Sequence, residues 1–218
     1  MLWAWLYFHR FDILLITLLA FIVIGPYIEY DIGPINVPHV LIAMVNVAAV
    51  SAARGTRRHL RTSMTLVALS FTFSALPLEF AREVSILLDM ALTAYTAGSI
   101  LRYVMQMPAV TRNVIVAALC VYLQIGLFFA RLYYFVDIAT HRAAVYRGNE
   151  PVRTMPELIY FSYTTLTTTG FGDMHPGVPL TQSLCVLEAI LGQLCLVVFI
   201  GRLIGLSIAH SGIMDSDR

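Results

Sequence analysis

The sequence predicts an all-α membrane protein with six transmembrane helices and, between the fifth and sixth, a re-entrant helix followed by a loop. Three observations predict it. Of the 218 residues, 59% are hydrophobic and only 12% charged, with a mean hydropathy of +0.78, whereas a soluble domain carries about 25% charged residues. Six apolar stretches come near the roughly 20 residues that a spanning helix needs. The segment from Asp137 to Pro179 is too long for a plain connection and holds helix-start signals followed by alternating glycines. A net charge of +1 argues against nucleic acid as a partner. No nucleotide-binding glycine motif, metal-ligand cluster or catalytic triad stands out, so neither an enzyme nor a cofactor is expected. Cys120, Cys185 and Cys195 all fall in apolar stretches and read as small core residues.

The spans are expected at Asp12–Ile28, Val37–Ala53, Thr62–Leu78, Ser85–Met105, Val114–Val136 and Leu180–Ala209. The first is too long for a signal peptide, so none is expected. The third is rich in Ser and Thr, whose hydroxyls bond to their own backbone or bridge to neighbouring helices. Arginines orient the spans, because basic loops stay cytoplasmic. Arg54, Arg57, Arg58 and Arg61 crowd the loop between spans two and three, and Arg102 and Arg112 bracket the link between spans four and five. Glu29 and Asp31 then lie outside, Asp137–Pro179 is external, and both termini are cytoplasmic. Asp89 is the only charge between Ser85 and Leu101. It is expected as a hydrogen-bonded structural carboxylate, with an ion-coupling site as the alternative. Proline disfavours helix in the residue before it, so span four ends ahead of Met107-Pro108 and leaves a link of about five residues. So short a link favours packing of the first four helices against the last two of the same chain.

The external segment is long enough to enter the membrane and return. Thr154-Met-Pro-Glu157 resembles a capping box, with Thr154 as N-cap, Glu157 three residues on and Pro156 in the first turn. The helix is expected to run to about Thr167, its partly negative carbonyl end favouring a cation. Gly170 and Gly172 then alternate with larger residues. Such alternation lets the backbone adopt conformations that turn successive carbonyls to one side. Rings of those oxygens replace the hydration shell of a dehydrated cation. Irregular backbone at membrane depth is tolerated only where it lines a cavity. The run Tyr160–Asp173 resembles the pore helix and selectivity filter of potassium channels, whose filter usually reads Thr-Val-Gly-Tyr-Gly-Asp. Thr168, Gly170, Gly172 and Asp173 match, with Thr169 for the valine and Phe171 for the tyrosine.

The resemblance implies that K⁺ is held by Thr168, Thr169, Gly170, Phe171 and Gly172. It implies a homotetramer around a central pore, since one strand supplies a quarter of the oxygen cage. Residues 1–110 would form a four-helix peripheral domain and 111–218 the pore domain, in an inner or plasma membrane. Thr164 and Thr167 would support the filter, and Tyr160 matches the aromatic position that in related channels bonds the filter aspartate, here Asp173. Gly192, 19 residues after Asp173, has the spacing of a hinge glycine in a pore-lining helix, with close helix packing as the alternative. Gln193 is a cavity-facing candidate. Glu188 is deep enough to cost free energy if charged, so it is expected neutral or hydrogen-bonded to the pore helix, with proton sensing as the alternative. Arg202 is expected to snorkel to the cytoplasmic interface. The implied function is passive, potassium-selective conduction, largely voltage-independent because span four lacks the arginine series of a voltage sensor. A weakly selective cation channel is the alternative, since Thr169 and Phe171 depart from the commonest filter. A secondary transporter or a non-conducting membrane subunit are alternatives from other classes.

Overall fold

Proline marks three helix boundaries. The helix before Met107-Pro108 stops at Gln106, Pro156 is the second residue of the short helix, and Pro179 opens the last one, each position one where the missing N–H costs least. A computed structural model describes residues 9–28, 45, 47–50, 57–74, 79–140, 144–152 and 154–216. The helices are α1 (Arg10–Ile28), α2 (Arg57–Ser74), α3 (Glu79–Gln106), α4 (Arg112–Thr140), α5 (Met155–Leu166) and α6 (Pro179–Ser216). Residues 45 and 47–50 are helical as well; the rest of the expected span Val37–Ala53, with Glu29, Asp31 and Arg54, lies outside the described residues. Among the described residues three helical stretches are long and apolar enough to cross a membrane: Glu83–Gln106, Arg112–Thr140 and Pro179–Arg202.

Two expectations of extent are corrected. α3 starts at Glu79, ahead of the expected Ser85, because Glu79, Ala81, Arg82 and Glu83 are good helix formers that prolong the helix beyond the apolar stretch. α6 continues to Ser216, past the expected Ala209; a helix of 38 residues is about 57 Å long, well beyond the ~30 Å hydrocarbon layer. Three short strands accompany the helices. β1 (Val145–Arg147) and β2 (Glu150–Val152) form a hairpin, and β3 (Met174–Pro176) pairs with the other edge of β1, giving the antiparallel order β2-β1-β3. Gly148 at φ +61° makes the turn with Asn149, a pair suited to two-residue hairpins. β3 begins immediately after Asp173, so the sheet anchors that end of the loop.

α4 is the centre of the packing. α1 buries Phe11, Leu14, Leu18 and Phe21 along one helical face and leaves Ile16, Leu19 and Val23 exposed, the division expected of a lipid-facing helix. That face meets Ala117, Cys120 and Val121 of α4 in a cluster that takes in Ile100 and Val104 of α3 and Ile159 of α5. α3 packs along α4 of its own chain. A second cluster joins α4, α5 and the sheet through Phe129, Tyr133, Val145, Leu158, Phe161 and Met174. At the start of α1 and α4, Arg112 grips both oxygens of Asp12 at 3.0 and 2.8 Å, a fork that orients the two helices. α6 differs from all of these. Of its most apolar stretch 17% is buried within the chain, against 61% for α4.

Candidate functional site

α5 begins where the sequence places it. Thr154 is the N-cap, with extended backbone (φ −95°, ψ 141°) and a carbonyl that accepts from Leu158 N at 3.1 Å. The capping box is corrected: the Thr154 side chain makes no cap bond and instead donates to Glu157 Oε2 at 2.7 Å. The reason is Arg147 on β1, which holds Glu157 Oε1 at 2.7 Å in a charge-assisted bond that outcompetes the neutral cap.

The other end of α5 passes without a break into the loop 167–173. Thr167 N reaches Tyr163 O (3.0 Å), Thr168 N reaches Thr165 O (2.9 Å), and Thr169 N and Gly170 N both reach Thr164 O (2.9 and 3.1 Å). Thr164 thus supports the loop through its main chain, while its hydroxyl donates to Phe161 O. Beyond the turn the backbone alternates. Thr168, Gly170 and Gly172 have φ of +57°, +52° and +80°, and neither Thr169 nor Phe171 is left-handed. An extended strand sends successive residues to opposite sides; inverting every second residue brings successive carbonyls to one side. Positive φ is what the residue type allows at Gly170 and Gly172, but not at Thr168, where a β-branched residue with positive φ is an outlier. Its hydroxyl donates to Thr167 O at 2.7 Å and accepts from Gln193 Nε2 of α6 at 3.5 Å. Counting back by two from the glycines was the signal that could have found it. Thr167 donates to Tyr163 O at 2.7 Å and lies 2.8 Å from Thr169 Oγ1, which fastens the loop to the helix. Phe171 lacks a hydroxyl, and its ring stacks on Tyr160 instead (centroids 6.3 Å apart, 3° between planes). Asp173 is the carboxylate that faces the Tyr160 hydroxyl.

α4 and α6 hold the back of α5. Tyr163 donates to Leu123 O at 2.6 Å, and Gly126 is glycine for a steric reason: a Cβ there would meet the Tyr163 ring at 2.6 Å. Gly192 packs against the last residue of α5, where an added Cβ would stand 2.5 Å from Leu166 O; α6 is continuous through it. Glu188 is wholly buried. Its Oε2 accepts from Tyr133 at 2.5 Å, and its Oε1 lies 2.5 Å from Ser162 Oγ on α5. Arg202 binds the carbonyls of Val104, Met105 and Met107 at 3.3, 2.6 and 2.8 Å, because the end of α3 offers unpaired carbonyls and partial negative charge.

A further group escaped the sequence reading. Arg131, 4% exposed, sits in the apolar span α4 and donates to Thr93 Oγ1 (3.2 Å) and Leu127 O (3.3 Å), with the Asp89 carboxylate as the charge facing it. Ser70 of α2 donates to Asp89 at 2.6 Å. Asp89 thus belongs to a polar column joining α2, α3 and α4. An arginine inside an apolar span was itself the signal.

Residues 117–207 match the family model Ion_trans_2, described as "Ion channel". That stretch runs from within α4 through α5 and the loop into α6 and covers less than half of the chain. No curated protein and no solved structure matches. The match and the apolar helices support an ion channel in a membrane.

Proposed function

We propose that four copies of this chain form a potassium-selective channel in which Thr168, Thr169, Gly170, Phe171 and Gly172 coordinate K⁺. The reading includes the six-span plan, with a peripheral domain at 1–110, a pore domain at 111–218 and cytoplasmic termini in an inner or plasma membrane. One observation carries it: left-handed backbone at 168, 170 and 172, directly after a helix whose partly negative carbonyl end favours a cation. Main-chain oxygens in such a strand are the donors that a dehydrated K⁺ requires. Support for an assembly comes from α6, whose Leu187, Ile190, Leu194 and Val197 are exposed in the single chain beside Gln193. A ring of copies would cover part of that face and leave the remainder to line the pore. Support for unswapped packing comes from α3 lying along α4 of its own chain and from Arg202 on its end.

The test is a reversal potential for purified protein in planar bilayers with K⁺ on one side and Na⁺ on the other. K⁺ and Rb⁺ should permeate well ahead of Na⁺. A potential near zero would favour the weakly selective channel, which the ring stacking of Phe171 in place of a hydroxyl tether makes the second reading. Ion-coupled substrate uptake would mark a transporter, and no flux a non-conducting subunit.

Voltage should matter little. Asp89 is the only charge from Ser85 to Leu101 of α3, and each charge crossing the field contributes about 2.3 kcal/mol per 100 mV. Open probability should stay nearly level between about −100 and +100 mV. A steep conductance–voltage curve, in the absence of a blocking external ion, would refute the assignment.

A further inference from the structure

The carboxyl of Glu188 touches two other helices, and the protons around it can be counted. Tyr133 of α4 meets Oε2 at 2.5 Å, Oε1 lies 2.5 Å from Ser162 Oγ of α5, and the same Oγ lies 2.7 Å from the Gly126 carbonyl of α4. A carbonyl only accepts, and a serine hydroxyl carries one hydrogen. An ionised Glu188 would also only accept. Ser162 would then face two acceptors with a single proton, leaving one close oxygen–oxygen contact unbonded in a buried site, which is costly. A carboxylic acid removes the conflict. Its Oε1–H donates to Ser162, Ser162 donates to Gly126, and Tyr133 donates to Oε2. The Cys185 thiol, 3.5 Å from the Tyr133 oxygen, is itself a donor and needs nothing from it. Among the described residues, the titratable groups facing Glu188 are Tyr122 and Tyr133 of α4, Tyr163 of α5 and Cys185 of its own helix. None is a cation that would hold a buried carboxylate.

We propose that Glu188 is a neutral hydrogen-bond donor that pins α5 between α4 and α6, and so is a positioning residue for the filter; the filter part rests on the channel reading above. The link to the filter is short. Ser162 lies two residues before Thr164, whose carbonyl receives the N–H groups of Thr169 and Gly170. Any shift of the helix at Ser162 carries that carbonyl, and with it the start of the alternating backbone.

Glu188→Gln separates a neutral donor from a charge, since its amide offers an N–H to Ser162 and a carbonyl to Tyr133. Its K⁺ flux and its K⁺-to-Na⁺ permeability ratio should stay within about twofold of wild type, whereas Glu188→Ala and Ser162→Ala should lower the ratio by about tenfold or more, the scale of a buried partner left unbonded. Infrared difference spectra between wild type and Glu188→Gln at neutral pH should contain the carbonyl stretch of a protonated carboxyl. That band reads the proton directly, even where Glu188→Ala does not assemble. A carboxylate band in its place, or a Glu188→Gln variant as damaged as Glu188→Ala, would overturn the proposal. Should the wild type pass no K⁺, the channel reading fails, while the infrared band and the melting temperatures of the Gln and Ala variants still decide the clamp.

Discussion

Gly170→Ala should abolish discrimination between K⁺ and Na⁺ while leaving the protein folded. Gly170 holds φ +52°, and an added Cβ would meet nothing within 4 Å in the single chain. The effect is therefore conformational rather than steric. An L-residue in the left-handed region costs about 1–2 kcal/mol, so a ring of four would bear roughly 4–8 kcal/mol. Thr168 accepts φ +57° with a side chain in place, but its hydroxyl is tied to Thr167 O and to Gln193. An alanine at 170 would have no such anchor, only the bond from its N–H to Thr164 O. Relaxing to right-handed backbone would end the alternation at its middle position and turn that carbonyl away from its neighbours. The measurement is the reversal potential between K⁺ and Na⁺, expected to move to near zero. Gly98→Ala is the control, because Gly98 lies in α3 with nothing within 4 Å of its added Cβ and no positive φ. A Gly170→Ala channel with undiminished preference for K⁺ would remove the carbonyl ring at 170 from the mechanism.

What the sequence disclosed and what it hid divide along one physical line. Pro156 and the Thr165–Asp173 run act on their own backbone, so the bounds of α5 and the need for glycine at 170 and 172 could be read locally. Partners across helices could not. Nothing near Arg202 in the chain shows that the end of α3 lies alongside to receive its guanidinium. Ser162 and Gly126 carried no signal, since their meaning depends on Glu188 and Tyr163 arriving from elsewhere. Tyr146-Arg-Gly-Asn149 did carry a hairpin signal, but the sheet forms only when β3 returns after the loop 167–173 to pair with β1. Thr168 ran against propensity outright: its left-handed turn follows from the bonds around it, not from its residue type.

Gly192→Ala should lower the stability of the assembled protein and cut K⁺ flux, through packing rather than through the loss of a hinge. The new Cβ would stand 2.5 Å from Leu166 O and 2.9 Å from Leu166 Cδ1. The side-chain contact could be relieved by a change of rotamer. The carbonyl could not move so easily, because it closes α5, accepts from Tyr122 at 3.3 Å and is followed at once by the loop 167–173. α5 and α6 would have to separate. Overpacking of this kind costs about 1–3 kcal/mol per site, and for a chain of this size each kcal/mol lowers Tm by roughly 2–4 °C. Gly201→Ala lies on the same helix with nothing within 4 Å, and should melt at or above the wild-type Tm. A hinge makes the opposite forecast. Alanine is a better helix former than glycine, so a hinge glycine replaced by alanine would leave Tm unchanged or raised while altering how often the pore opens. Thermal melts of Gly192→Ala and Gly201→Ala, paired with single-channel open probability, separate the two. A Gly192→Ala variant with wild-type Tm and altered opening would refute the packing role. A lowered Tm with reduced flux would place Gly192 where the geometry puts it, as the close contact that holds α6 against the end of α5.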